Sequence, residues 1–488
     1  MLPGKYILER GLLMEPIISR IYQLIKNTNQ LIELEESIQL YMHEVFATLL
    51  GEIFTQLNQV IKKKHQEKGW LVKREDWKTI QFTFGAVRFE HTLMEDKKGI
   101  PHYPFDEWMG LRKYQRFSPL VEVKVAELAS ESTYRETARI LREWTAVHIS
   151  HQTVGSIIKR VGEAQAQADK EMVNELDEAA SLPEGKKVDY VYVEADGVFI
   201  KGTEKKKSLE VRHAIIHEGW EKNGKRVALL EPKVIMTTQF TTEFWKEVQA
   251  FSAHHYSLEN TQIVSNSDGG QGYSAEKFQE AFSQSCYPVL NQLDPYHIAQ
   301  ALNRALGGGK SEYKDSIRKA LKEHNLDDFT LWLDTYESTL DEQKQIEKVK
   351  AFRSYIQNNW SRIYDWREKV KDPPKDARSL GAMESNQRHV SFRMKKRGMH
   401  WSLKGAEAMV KVKQGILNKT LRATYLTYQD RSERKQRDVK KNVRLSQILH
   451  ESTRPSIGVK HGSISLYTAH STAIGNLMKK IQNNLVNF

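Results

Sequence analysis

Three acidic residues of this chain have the type and the sequence context that phosphodiester chemistry requires. Asp196 and Asp268 each end an apolar run and precede a glycine, whereas Glu384 opens a basic stretch that is typical of a helix. Carboxylates at the ends of neighbouring strands, joined by an acid from a helix, can converge on Mg²⁺, which prefers oxygen ligands. Two such ions about 3.5–4 Å apart can clamp a phosphodiester for in-line attack. The pattern therefore predicts a nucleic-acid enzyme, although Asp-Gly after a strand is also an ordinary turn signal.

A second motif, Asp294-Pro-Tyr-His297, follows a later apolar run. His297 is predicted to bind metal or phosphate, or to orient a reacting group. The same residues also fit the start of a helix, with Asp294 as its N-cap and Pro295 at its first position. Both interpretations stay open, since neither excludes the other.

The positive charge of the chain is concentrated just after Glu384. The 488 residues contain 74 Lys and Arg against 62 Asp and Glu, a formal net charge of +12. Residues 388–444 hold 17 basic and 4 acidic side chains, a net of +13, so the remainder sums to −1. A localised basic segment suggests a nucleic-acid surface, and a solvated helical face is the alternative. The side chains expected to contact DNA here are Asn386, Arg388, Arg393, Lys395, Lys396 and Arg397.

Composition limits the compartment and excludes some kinds of site. Cys286 is the single cysteine, which excludes an internal disulfide and a Cys-based zinc ribbon. The mean hydropathy is −0.61. No run of about 18 or more apolar residues appears in the sequence, and the N-terminus lacks the layout of a signal peptide. We therefore expect a cytoplasmic protein without a membrane partner.

Residues 126–182 are predicted to form a helix-turn-helix followed by a linker. Apolar residues recur at helical spacing from Tyr134 to Leu141, and Ser150 is expected to cap a second helix. The apolar face of that second helix leaves polar side chains outward, as a helix that reads DNA requires. An ordinary helical hairpin is the alternative. The side chains predicted to contact DNA from this helix are Gln152, Thr153 and Lys159.

The later elements predict an α/β fold with a mixed sheet. Three successive strands, followed by strands that alternate with helices, favour a mixed sheet with helices on both faces. The expected strands cover 188–195, 209–217, 227–237, 262–267 and 288–293. The predicted regions are 1–75 (helical), 76–125 (strand-containing), 126–182 (helix-turn-helix and linker), 183–310 (sheet domain), 311–377 (helical insertion), 378–410 (last helix of the sheet domain) and 411–488 (basic).

These residues together resemble the RNase H-like catalytic domain of DDE transposases. The chain is similar to the bacterial insertion-sequence family ISLre-two and, more distantly, to the Mutator-like group, from near residue 79 to about 425. The resemblance implies an RNase H-like fold with Asp196, Asp268 and Glu384 as its metal-binding triad, and Asp294 and His297 as the Cys/Asp-x-x-His signature. The matching segments are Tyr192-Val-Glu-Ala-Asp196-Gly197, Ser267-Asp268-Gly-Gly270, Asp294-Pro-Tyr-His297, and Met383-Glu384-Ser-Asn386 followed by Arg393-Met-Lys-Lys-Arg-Gly-Met-His-Trp401-Ser.

The resemblance further implies a DNA transposase that uses Mg²⁺, with Mn²⁺ as the alternative ion. It would nick DNA at the ends of an insertion sequence and join the freed 3′-hydroxyls to target DNA. Its partners would be double-stranded DNA, as terminal inverted repeats and as target, and at least one further copy of the chain, in the bacterial cytoplasm at the nucleoid. A stand-alone RNase H-like nuclease and an inactive DNA-binding regulator are the alternatives, and Glu368 or Glu407 could replace Glu384.

Overall fold

The computed structural model describes residues 4–178, 184–204, 207–224, 226–309 and 311–429, with side chains from residue 16 onward. Most of the predicted basic region 411–488 therefore lies outside the described residues. The N-terminal part joins long helices to an antiparallel hairpin, and Phe54 of the second helix is buried against Phe89 of the hairpin. Its elements are α1 (Gly4–Asn27), α2 (Leu31–Glu67), β1 (Leu71–Phe82), β2 (Gly85–Glu95), β3 (Pro101–His102) and α3 (Pro104–Met109).

Three further helices contain the predicted helix, turn and second helix: α4 (Pro119–Glu131), α5 (Tyr134–Trp144) and α6 (His151–Glu178). Ser150 begins α6 as predicted, because its Oγ accepts a hydrogen bond from the Thr153 amide at 3.2 Å. The helix then continues without a break, and Asp169 on it is buried. The prediction of a linker after the helix-turn-helix is therefore wrong as far as residue 178, because this part of α6 packs into the core.

The central sheet has five strands in the order β10–β9–β4–β5–β8, and its mixed α/β architecture confirms the predicted fold class. β4 and β10 pair in parallel with β9, whereas β5 pairs antiparallel with both β4 and β8. The strands from β4 on are β4 (Tyr190–Lys201), β5 (Ser208–His217), the separate hairpin β6 (Trp220–Asn223) and β7 (Arg226–Leu229), β8 (Lys233–Thr237), β9 (Gln262–Ser267) and β10 (Leu290–Leu293). The single strand predicted over 227–237 is wrong, because the chain turns between β7 and β8, where Glu231 has a φ of +45°.

Helices cover both faces of the sheet, as the alternation along β4 requires. Val191 and Val193 pack against α7 (Thr241–His255) and α8 (Ala275–Ala281). Val198 and Ile200 belong to the core that includes α6 and α14 (Leu403–Leu417). Since alternate residues share a face, Asp196 lies on the same face as Val198.

A helical layer follows β10 and has a core of its own, in which Phe329 and Phe352 are buried. It leads through two short 3₁₀ turns to the helix that carries Glu384. The elements are α9 (Pro295–Leu306), α10 (Glu312–Lys322), α11 (Leu326–Glu337), α12 (Gln343–Asn358) and α13 (Ala382–Met394). Among the described helices, none combines the length and apolar character needed to cross a bilayer.

Basic residues at the start of the predicted basic region are buried in ion pairs. Lys411 Nζ lies 2.6 Å from Asp169 Oδ2 and 2.7 Å from Glu247 Oε2, which ties α14 to α6 and α7. Lys413 Nζ lies 2.9 Å from Glu131 Oε1. The expectation that the basic surface continues from residue 411 is therefore wrong for these two lysines, because both are buried and paired with acids.

Candidate active site

The strand register brings the predicted acids to one level of the sheet. β4 and β9 pair Glu194 with Asn266, so the same register two residues further sets Asp196 beside Asp268. β10 pairs Leu293 with Ser267, and the Asp294 amide donates to the Ser267 carbonyl at 3.0 Å. Because carboxyl ends of parallel strands meet at one edge, three aspartates line up where β9 and β10 end.

The glycines that follow Asp196 and Asp268 serve different purposes. The prediction that Asp196 ends a strand is wrong, because β4 continues to Lys201. A side chain at Gly197 would place its Cβ 2.4 Å from Oε1 of Glu210, so the glycine allows close packing rather than a turn. Gly269, by contrast, has a φ of +81° in the left-handed region, where glycine is favoured. Only the second Asp-Gly pair is the turn that the sequence suggested.

Asp196 is a largely buried carboxylate with contacts from several elements. Its Oδ1 accepts the Gly197 amide at 2.6 Å, and its Oδ2 accepts a hydrogen bond from Gln387 Nε2 of α13. His297 Nε2, in the first turn of α9, lies 3.9 Å from Oδ2. Burial, reinforced by the negative charge of Asp268, raises the pKa of Asp196 to about 6. The site thus holds negative charge that solvent does little to stabilise.

Glu194 fixes α13 above Asp196, a role that we did not predict. Its carboxylate is almost fully buried and accepts the backbone amides of Gly381, Ala382 and Met383 at 3.1, 2.9 and 3.0 Å. These are amides of the first turn, which lack partners within the helix. Burial raises the pKa of Glu194, and these hydrogen bonds oppose that shift. Its position two residues before Asp196 was the available signal, because alternate strand residues share a face.

Glu384 lies on this same helix, three residues before Gln387. Residues three apart on a helix are neighbours on its surface, so Glu384 projects near the Gln387 contact with Asp196, and its side chain is exposed. The spacing of Glu384 and Gln387 could have predicted the role of Gln387. Glu407 instead accepts hydrogen bonds from Thr237 and Thr238, and Glu368 lies 4.0 Å from His324. These contacts favour Glu384 over both alternatives.

Two residues from the end of the helical layer hold the turn at Asp268. Tyr355 lies in the last turn of α12, and Arg362 follows that helix. Tyr355 Oη donates to the Asp268 carbonyl oxygen at 2.9 Å. Arg362 Nη2 donates to Ser267 Oγ at 2.7 Å. Burial raises the pKa of Tyr355 to about 12, which keeps the hydroxyl protonated as a donor. The insertion therefore supports the turn that carries Asp268, which the sequence did not reveal.

The donor chemistry of the site fits Mg²⁺. Within the described part of the chain, no three His, Cys, Asp or Glu side chains are grouped closely enough to hold a metal ion as they stand. Asp196 and Asp268 nevertheless offer hard oxygen ligands at one level of the sheet. The raised pKa of Asp196 reflects burial and the like charge of Asp268, and a divalent cation between such groups would relieve both effects.

The Asp294 motif begins α9 as its N-terminal pattern predicts. The Asp294 side chain accepts the Tyr296 amide at 2.8 Å, and Pro295 occupies the first helical position. This cap also fixes His297, which faces Asp196 from the first turn of α9. The two interpretations of the motif are therefore compatible, because a structural cap positions a polar residue at the site.

The side chains predicted to contact DNA divide into exposed and buried groups. Arg393 is buried, donates to the Ala129 carbonyl at 3.0 Å, and stacks on Tyr134 and Trp401. The prediction that Arg393 contacts DNA is therefore wrong, because its guanidinium is enclosed in the core. Asn386 is half-buried and donates within its helix to Ala382. The remaining side chains are exposed or, for Thr153, half-buried: Gln152, Thr153, Lys159, Arg388, Lys395, Lys396 and Arg397.

Comparison with known proteins identifies the family. A family model described as "Uncharacterised protein family (UPF0236)" matches residues 24–429, most of the 488-residue chain. The chain belongs to the UPF0236 family. This UPF0236 member is 32% identical over 470 residues to the "UPF0236 protein in vanSb 3'region" of Streptococcus gallolyticus, which covers 95% of this chain and 100% of that relative.

Two UPF0236 relatives come from Caldanaerobacter subterraneus subsp. tengcongensis, and each is 24% identical to this chain. The first match covers 80% of this chain and 78% of the relative. The second covers 74% of this chain and 72% of the relative. The printed names of these two relatives join eleven and four locus designations, respectively.

Proposed function

We propose that this UPF0236 protein is a Mg²⁺-dependent DNA transposase that nicks the ends of a mobile element and joins the freed 3′-hydroxyls to target DNA. One observation carries the proposal: Asp196 on β4 and Asp268 directly after the neighbouring parallel strand β9 meet at one end of that pairing, beneath a helix that bears Glu384 and hydrogen-bonds to Asp196. Phosphodiester cleavage needs little more from a protein than positioned ligands for cations and a positioned nucleophile.

Each residue of the site has a distinct task in this mechanism. Asp196, Asp268 and Glu384 would hold Mg²⁺, which when bound stabilises charge on the attacking and leaving oxygens. Gln387 orients the Asp196 carboxylate through its amide. His297 Nε2 lies 3.9 Å from Asp196, where it can donate a hydrogen bond to a phosphate oxygen. Tyr355 holds the turn at Asp268 by donating a hydrogen bond from its hydroxyl to the Asp268 carbonyl.

The exposed basic end of α13 gives the site a surface for DNA. Arg397 Nη1 lies 3.5 Å from Glu136 Oε2 of α5, so this basic end adjoins the helix-turn-helix. Exposed Lys395 and Lys396 flank the contact. A duplex read by α6 would then pass the lysines, whose phosphate contacts make binding strongly salt-dependent. Joining two element ends would require at least a dimer.

The relatives add an independent argument for mobility. The name of one joins eleven locus designations in a single organism and that of another joins four. Many copies in one genome are expected of a gene that carries its own means of transposition. The proposal includes a location in the bacterial cytoplasm, at the nucleoid, where a transposase would meet its DNA.

A strand-joining assay tests the proposed function. Purified full-length protein would be incubated with Mg²⁺, a target plasmid, and duplexes made from the DNA that flanks its gene, either intact or pre-nicked. We expect nicks in the intact duplex and covalent joining of both substrates to the plasmid, with none in EDTA. Cleavage without joining would identify a nuclease, and binding without cleavage would identify a regulator; either result contradicts the proposal.

The recognition role of α6 is tested separately. Gln152 and Lys159 are exposed on the face opposite the buried residues of α6. We expect their joint replacement by Ala to weaken binding to element ends by at least about 30-fold, since each of the two contacts to a base edge contributes about 1–3 kcal/mol. Lys170→Ala, which removes an exposed lysine further along the same helix, is the control and should bind normally. Unchanged end-specific binding by the double variant in a competition assay would exclude this role.

A further inference from the structure

A cleft of about 350 Å³ opens beside Asp268, between α9 and α12. Its end at the sheet is formed by Asp268, His297 and Tyr355, and its sides carry Arg304 and Lys348. His297 to Arg304 and Tyr355 to Lys348 are each seven residues, about 10.5 Å along a helix. Each cation therefore lies about 10.5 Å along its helix from the residue that forms the sheet end of the cleft, and the two lie on different walls.

Neither cation is neutralised by its surroundings. Arg304 donates to a glutamine oxygen at 2.6 Å and Lys348 to another at 3.3 Å, and within the described chain neither has a carboxylate within 4.0 Å. On other surfaces of the same helical layer, Arg318 lies 3.1 Å from Asp315, and Lys350 lies 3.8 Å from Glu337. The cleft thus concentrates free positive charge next to an acidic edge.

We infer that this cleft binds one unpaired nucleotide of the DNA strand next to the cleaved bond, and that Arg304 and Lys348 hold its phosphate; the inference rests on the proposed function. Its volume is near the lower end of the roughly 300–1,000 Å³ typical of ligand sites. A duplex does not fit, since the major groove of B-DNA alone is about 12 Å wide. The exposed part of Tyr355 offers an aromatic surface beside the sugar and base.

Binding measurements with full-length protein in EDTA test the cleft. Fluorescence anisotropy would compare a fully paired duplex with the same duplex carrying a three-nucleotide unpaired end. We expect wild type to favour the unpaired end, and Arg304→Ala with Lys348→Ala to bind that duplex about 10-fold less tightly. The slope of log affinity against log salt should become shallower by about 0.7 for this duplex, since the two cations hold one phosphate and each phosphate neutralised on a single strand contributes about 0.7.

Arg318→Ala with Lys350→Ala is the matched control, because it removes the same charge from other faces of the same layer. It should bind both duplexes as wild type does. Lys348→Glu gives a second measure and should weaken binding to the unpaired end further. Equal affinity of wild type and cleft variants, or equal losses in cleft and control variants, would overturn the inference while leaving the transposase proposal intact. If wild type binds neither duplex, both are wrong.

Discussion

Replacing Asp196 with Asn is expected to reduce Mg²⁺-dependent DNA cleavage by at least about 1,000-fold while DNA binding persists. The carboxylate is one of the three that would hold Mg²⁺, and a metal ion contributes several kcal/mol of charge stabilisation in the transition state. Each 1.36 kcal/mol corresponds to about tenfold in rate. Single-turnover cleavage of a labelled duplex measures the loss. We expect Asp268→Asn to lower the cleavage rate to a similar extent. Asp189→Asn, an exposed aspartate just before the other end of β4, is the matched control.

The Asp196→Asn variant should lose activity without losing stability. Burial and Asp268 raise the pKa of Asp196 from 3.8 to about 6 in the fold. Because the folded pKa is the higher one, ionised Asp196 destabilises the fold; this effect is absent below pH 3.8 and complete above about pH 6. The variant should therefore melt at the wild-type temperature or above it at pH 7.5 in EDTA.

Added Mg²⁺ separates wild type from this variant in the same melting experiment. At ten times its dissociation constant, a bound ion should stabilise wild type by about 1.4 kcal/mol. Asp196→Asn should gain much less. Cleavage by the variant at the wild-type rate, or equal stabilisation of both proteins by Mg²⁺, would contradict the assignment of Asp196.

Replacing Glu194 should weaken both the fold and the proposed metal site. Glu194→Ala leaves one buried and two partly buried amides without an acceptor, and we expect a loss of about 3 kcal/mol, since a buried unsatisfied group costs about 1–3 kcal/mol. Glu194→Gln should be milder, because one oxygen still accepts from Gly381 and Ala382 while its NH₂ group faces the Met383 amide. Urea denaturation measures both changes.

A positioning role of Glu194 predicts more than lower stability. If Glu194 holds α13 and Glu384 over Asp196, Glu194→Gln should raise the Mg²⁺ concentration for half-maximal cleavage about 10- to 100-fold, as loss of groups that orient metal ligands does. Glu407→Gln is the matched control, because Glu407 also accepts three hydrogen bonds but at the end of β8. It should lower stability without changing the Mg²⁺ requirement. Equal Mg²⁺ dependence of both variants would reduce Glu194 to a structural residue.

Local sequence patterns predicted much of the fold, and the errors have physical causes. Apolar spacing placed the buried face of α6, and Ser150 and Asp294 marked helix starts, because caps and amphipathic faces are encoded within a few residues. The single strand predicted over 227–237 was wrong because it ran through Pro232, which follows Glu231 in the turn and cannot donate to a strand ladder. Arg393 was misjudged because a long cationic side chain is usually exposed, whereas here aromatic rings enclose it.

The sequence by itself determined which chemistry is available: two aspartates after apolar runs, a glutamate in a basic helix, and no cysteine pair. Only the tertiary structure decided that Asp196 and Asp268 lie level, since their alignment depends on the register between β4 and β9. It also decided that Glu194 accepts backbone amides at the start of α13 and that α9 and α12 enclose a cationic cleft. The reason is distance along the chain: 187 residues separate Glu194 from Gly381, and contacts over such a separation leave no periodic signal in the sequence.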